Sequence, residues 1–259
     1  MRVGLLGRTL LVGGALFAAL WAQAADAAEI RVYASIALRS SLAEIVPAFE
    51  RASGNKVHLE ITTVAALKKR IEEGEPFDVA VLTPSALTDL VKTGKVQEGS
   101  SAAVARSGLG VGVRKGAAKP DISTVNAFKS ALLAAKSIGY TDPALGGASG
   151  VYTGKMIQDL KMVDELKSKT VLTKGSPGLA EAFTKGEVEL GLTQISELLP
   201  MKDVDVVGPY PADLQHYTVF AGAIAAATKE KAAGDAFLKT LTSPEAAAIF
   251  KAKGLEPGA

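Results

Sequence analysis

Apolar and polar positions along this chain follow two periods in turn, and the change from one to the other marks its elements. Short apolar, β-branched runs at Ile30 to Ala34, Val57 to Thr62, Asp78 to Thr83, Ser137 to Thr141, Thr170 to Thr173 and Leu190 to Thr193 predict strands. Behind the first, Leu42, Ile45, Val46 and Phe49 recur at helical spacing, as do Leu67 and Ile71 behind the second and Leu87, Leu90 and Val91 behind the third. Strand and helix repeated in this way predict an α/β chain of mostly parallel, doubly wound sheets. Such sheets bind ligands just beyond the carboxyl ends of their strands.

Two stretches break the alternation. Val104 to Lys115 and Tyr217 to Thr228 are long, extended in character and rich in Gly, Ala and Val, which predicts two crossover segments joining two lobes. Residues 28–105 together with 225–259 then form lobe one, and residues 106–224 form lobe two. The closing helices, Lys231 to Leu241 and Pro244 to Ala252, return to lobe one, and a small ligand is expected in the cleft between the lobes.

The start of the chain follows a different logic. Arg2 and Arg8 precede an apolar run from Leu10 to Trp21, followed by small residues at Ala22, Ala24, Ala25 and Ala27, so residues 1–27 read as a cleaved secretory leader and the mature chain as periplasmic. The run is too short to cross a hydrocarbon core of roughly 30 Å. The mature chain is expected to enter no membrane.

Composition narrows the chemistry. With 29 basic and 27 acidic residues the chain is near neutral, which gives no electrostatic case for nucleic acid. It has no cysteine, which excludes disulfides and thiolate chemistry, and its two histidines, His58 and His216, are too far apart in sequence to suggest a metal site. No cofactor or metal is expected, and neither a GxSxG elbow nor an HExxH motif occurs.

The candidate site residues follow the predicted strands. Ala37 to Ser41 opens a helix whose free N–H groups suit an anion, with Arg39 as a clamp for a carboxylate or phosphate. Thr62 and Thr63 open the next helix, where a cap or a hydroxyl donor serves equally well. In lobe two, Gly146-Gly147-Ala148-Ser149-Gly150 and Lys174-Gly175-Ser176-Pro177-Gly178 each precede a helix, and Gln194, Ser196 and Glu197 follow the last strand. Together these turns describe a small polar pocket. Spacing alone gives no catalytic set; Glu197, His216 and Tyr152 are the candidate bases.

At these residues the chain resembles the periplasmic molybdate-binding proteins of ABC importers, members of the type II periplasmic binding fold. The resemblance spans the mature chain and is carried by Val32-Tyr33-Ala34-Ser35, by Leu67 to Val79, by Gly147 to Tyr152 and by Lys185 to Gly191. It implies a two-lobed fold, a bound small anion and a partner permease, with a monomer expected. Where that family places two serine donors and a tyrosine, Ala37, Val64 and Gln194 stand here, while Ser149 adds a hydroxyl where the family often has alanine. These exchanges turn the expectation from an oxyanion toward an organic di- or tricarboxylate. The same branch is similar to periplasmic aconitate isomerases, which implies a second possibility: a cofactor-free isomerase in place of a carrier.

Intact-mass analysis of exported protein is expected to find a new N-terminus between Ala25 and Glu29. A mature species that retains Leu10 to Trp21 removes the leader reading.

Overall fold

The computed structural model describes residues 27–258, so all but the last residue of the expected leader lies outside the described residues. Lobe one begins with β1 (Glu29–Ser35), a 3-10 turn (Ile36–Leu38), α1 (Arg39–Ser53), β2 (Lys56–Thr62), α2 (Val64–Glu72), β3 (Val79–Leu82) and α3 (Pro84–Lys92). β1 pairs in parallel with β2 and with β3. Its alternate residues face opposite ways: Ile30, Val32 and Ala34 join Phe49, Phe237 and Phe250 on one side, and Tyr33 joins Leu67 and Leu87 on the other.

The chain then enters β4 (Ala102–Arg114), which runs through both halves of the molecule. Lobe two follows with α4 (Val125–Ala134), β5 (Ile138–Thr141), α5 (Ala148–Asp159), α6 (Val163–Lys167), β6 (Thr170–Thr173), α7 (Gly175–Lys185), β7 (Leu190–Gln194), α8 (Ile195–Leu198) and β8 (Val204–Pro209). β5 pairs in parallel with β6 and β7. β9 (Tyr217–Ile224) leads back to α9 (Lys231–Leu241), α10 (Pro244–Ala252) and the short β10 (Glu256–Pro257).

The strands run in the order β2-β1-β3-β9-β4-β7-β5-β6, with β8 and β10 also on β4. The parallel trios at the two ends are joined through antiparallel partners, so the sheet is mixed at its centre. Residues 102–108 of β4 pair with β9, and Ala105 and Arg106 with β10, whereas Leu109 to Val113 pair with β7 and Gly110 to Arg114 with β8. β4 therefore exchanges both neighbours between Gly108 and Leu109. At that point the Gln215 side chain takes over from β9: the Leu109 N–H donates to Oε1 at 2.8 Å and Nε2 donates to the Leu109 carbonyl at 3.0 Å.

Alternate glycines on β4 set the position of α8. A Cβ on Gly110 would lie 2.7 Å from Ile195 Cγ1, and one on Gly112 would lie 2.9 Å from Leu198 Cδ2, so the helix rests directly on the strand backbone. Gly150 does the same for α5, since a Cβ there would lie 2.3 Å from the Thr141 carbonyl oxygen. Among the described residues no helix is long and apolar enough to cross a membrane.

Gly110→Val is expected to destabilise the protein by about 1–3 kcal/mol through overpacking against Ile195. Denaturant unfolding measures it; an unchanged midpoint shows that α8 does not depend on this seat.

Candidate functional site

Several helices start where strands end, and their first turns meet between the lobes. Ser35 closes β1, Thr63 precedes α2, Gly147 precedes α5, Gly175 and Ser176 open α7, and Gln194 joins β7 to α8. Together with Ile36, Val64, Thr141, Ala148, Ser149 and Glu197 they enclose one small cavity. The first N–H groups of a helix have no partner within it, so such a convergence suits an anion.

The lobes touch around this cavity. Thr63 caps α2 by accepting from the Ala66 N–H at 3.3 Å, and its hydroxyl donates across the cleft to the Leu145 carbonyl at 3.4 Å. Beside it, a Cβ on Gly146 would lie 2.4 Å from Ala65 Cβ, so only glycine permits the approach; its φ of +66° is also glycine's region. The enclosed volume is about 10 Å³, room for about one water.

Of the residues expected from the sequence, the structure brings together Thr63, Ser149, Ser176, Gln194 and Glu197. Arg39 does not reach the cavity. The 3-10 turn before α1 buries Ala37 and Leu38, leaving Arg39 exposed with Nη2 3.5 Å from the Ile61 carbonyl oxygen. Ala37 is buried beside the cavity without lining it; Ile36 of the same turn does. His216 and Tyr152 stack on each other, ring centroids 4.4 Å apart, and the Tyr152 hydroxyl donates to the Leu214 carbonyl, away from the cavity. Ser35, Thr141 and Thr193 were not among the sequence candidates. Ser35 and Thr141 are the last residues of their strands, and Thr193 is the last residue of its predicted strand, each one position before the turns on which the sequence argument concentrated.

Glu197 is the one ionisable residue lining the cavity. It is buried, and Thr193 Oγ1 lies 2.5 Å from its Oε2. Burial pushes its carboxyl up to about 7, against the downward pull of the Thr193 hydrogen bond. Gln194 is 2% exposed, and its Oε1 has no hydrogen-bond partner. Among the described residues no group of three or more His, Cys, Asp or Glu is placed to hold a metal ion.

A larger groove, about 1120 Å³, opens at the amino-terminal ends of β1 and β3, away from this convergence. Part of its charge is paired: Arg70 bonds Glu60 at 3.2 Å and Glu75 at 2.7 Å, and the Tyr33 hydroxyl donates to Glu75 at 2.9 Å. It lacks the converging strand ends and helix starts of the cleft, which makes it the weaker candidate.

Comparison with known proteins places the fold in a family. Residues 30–256 match the family model described as bacterial extracellular solute-binding protein. The chain is 32% identical over 256 residues to an aconitate isomerase from a Pseudomonas species, covering 96% of each chain. It is 25% identical over 248 residues to the molybdate-binding protein ModA of Escherichia coli K12, covering 95% of this chain and 96% of that one. The solved periplasmic molybdate-binding protein of Azotobacter vinelandii superposes with a TM-score of 0.72 at 20% identity, over 87% of this chain and 98% of that one, which shows the two-lobed type II periplasmic binding fold.

The raised Glu197 carboxyl makes stability depend on pH. Its value in the fold, about 7, is above the ordinary 4.5, so the stability present below about pH 4.5 is lost as pH rises through 7. The loss is expected to be about 3 kcal/mol. Unfolding of wild type and Glu197→Gln across this range checks it: the variant flattens the curve, and two parallel curves show that Glu197 does not titrate there.

Proposed function

The chain belongs to the bacterial extracellular solute-binding protein family, and we propose that it holds a small organic di- or tricarboxylate in its cleft and moves a double bond within it, as a cofactor-free isomerase of the aconitate type. The observation that carries this reading is Glu197. A site that only captures an oxyanion needs donors, and an ionised carboxylate there repels the ligand. A carboxyl titrating near 7 is instead matched to proton transfer at neutral pH. The 32% identity to an aconitate isomerase along nearly the whole chain supports the same reading.

The chemistry is a 1,3-proton shift. Ionised Glu197 takes a proton from the methylene carbon next to the double bond, the C–H electron pair becomes the new double bond, and the old one delocalises onto a substrate carboxylate. Helix-start N–H groups around the cavity and the hydroxyls of Ser149 and Ser176 face the charge that develops. Returning the proton to the far carbon completes the shift, with no change in oxidation level. A cleft that closes around its substrate would keep water from the carbanion-like charge that develops. The hinge is β4, which passes between the halves, with the segment that leads into β9.

A carrier delivering an anion to an ABC permease is the second reading, favoured by the family and by the neutral hydroxyl and amide donors of the cleft. In both, the secretory leader sends the protein to the periplasm.

Proton NMR of purified protein with trans-aconitate is expected to show the cis isomer forming, with Glu197→Gln slower by about 10²–10⁴-fold. No interconversion by wild type, together with stabilisation by molybdate in thermal melts, transfers the function to the carrier.

A further inference from the structure

Glu197 is one end of a hydrogen-bond chain whose other end also lines the cleft. Thr193 Oγ1 lies 2.5 Å from Glu197 Oε2 and 3.2 Å from Ser149 Oγ, and all three residues are buried. A hydroxyl carries one proton, so Thr193 donates along only one of these two bonds. When Glu197 is ionised it can only accept. Thr193 then donates to it and no longer to Ser149, so the bare Thr193 oxygen draws the Ser149 proton away from the cleft. When Glu197 carries a proton, Thr193 is its side-chain partner, so the acid donates to Thr193 and Thr193 donates to Ser149. The Ser149 proton is then free for the cleft.

We propose that anion and proton are taken up together: a proton on Glu197 reverses the Glu197–Thr193–Ser149 chain and makes Ser149 a donor to the ligand. This rests on the reading of the cleft as an anion site, and it makes Thr193 a positioning residue. No neighbouring charge offsets the carboxylate. Of the elements packed on α8, residues 36–38 and β7 carry no charge, while Asp205 of β8 accepts from the Gly116 N–H at 2.8 Å. On β4, Arg106 is paired with Glu256 and Arg114 donates to the Phe183 carbonyl at 3.4 Å. Lys253, beside the Gly254 that packs on Ile195 and Leu199, is paired with Glu44. Burial without a counter-charge is what lifts the carboxyl to about 7.

The coupling sets binding against turnover. The protonated cleft holds an anion best but has no base; the ionised cleft has its base and holds the anion less well. Substrate therefore binds against repulsion that is relieved when its proton reaches Glu197.

Calorimetric titration with molybdate, a dianion throughout, and with trans-aconitate, between about pH 6.5 and 8.5 in two buffers of unlike ionisation enthalpy, measures affinity and proton uptake together. Affinity is expected to fall about tenfold per pH unit above 7, with close to one proton taken up per anion. Glu197→Gln, whose amide donates to Thr193 as the acid does, keeps the low-pH affinity across the range. Thr193→Val still takes up the proton but binds several-fold more weakly at the acid end, and Thr193→Ser recovers the loss. Wild-type affinity that ignores pH, or Thr193→Val binding as tightly as wild type at the acid end, overturns the proposal. If neither anion binds, infrared spectroscopy of the ligand-free protein decides. A protonated-carboxyl band that fades through about pH 7, is missing in Glu197→Gln and fades at higher pH in Thr193→Val upholds the chain; its absence overturns it. Isomerisation is scored separately. An inactive wild type with proton-linked binding removes the isomerase and leaves the coupling, and an active one with pH-independent binding does the reverse.

Discussion

One strand has to serve two lobes, and the rest of the architecture accommodates that constraint. β4 is flanked by β9 and β10 in one half and by β7 and β8 in the other, so its backbone groups find partners along both stretches. Bending costs least where the neighbours change, between Gly108 and Leu109, because no ladder crosses that point unbroken. The amide of Gln215 bridges the gap with a side chain, which can follow a rotation that a backbone ladder resists. The glycines on β4 also seat α8, so the element that carries Glu197 is held by the strand that both lobes share.

The cleft is polar without being positive. Its lining has hydroxyls, an amide, helix-start N–H groups and one acid, and no lysine or arginine. Arg39, the cation expected there, is turned to the outside. An anion in such a place is held by the number and aim of its hydrogen bonds. Under that rule one misdirected hydroxyl matters, because no surplus of positive charge compensates for it.

The fold was largely legible in the sequence. Alternating strand and helix signals located β1, β2, β3, β5, β6 and β7 to within a residue or two, and the two Gly- and Val-rich stretches that broke the alternation became β4 and β9. β8 and β10 were not foreseen, because their six and two residues draw their stability from pairing with β4 and carry little pattern of their own. The site was legible in part. Position after a strand selected Thr63, Ser149, Ser176 and Gln194, since in such sheets backbone direction alone sends those turns toward the cleft. The same rule failed at Arg39, where a single 3-10 turn rotated the helix start outward. Tyr152 and His216 satisfied each other by stacking, a contact between residues 64 positions apart that no local pattern encodes.

The contact between Gly146 and Ala65 acts as a mechanical stop. With no side chain on one and a single methyl on the other, the lobes meet here backbone to methyl, and the cavity beside the contact is water-sized. How far a bound molecule holds the lobes short of that contact is a direct measure of its girth. Evolution or design can therefore recalibrate which solutes permit full closure by thickening this pair of residues, without touching a group that the solute contacts.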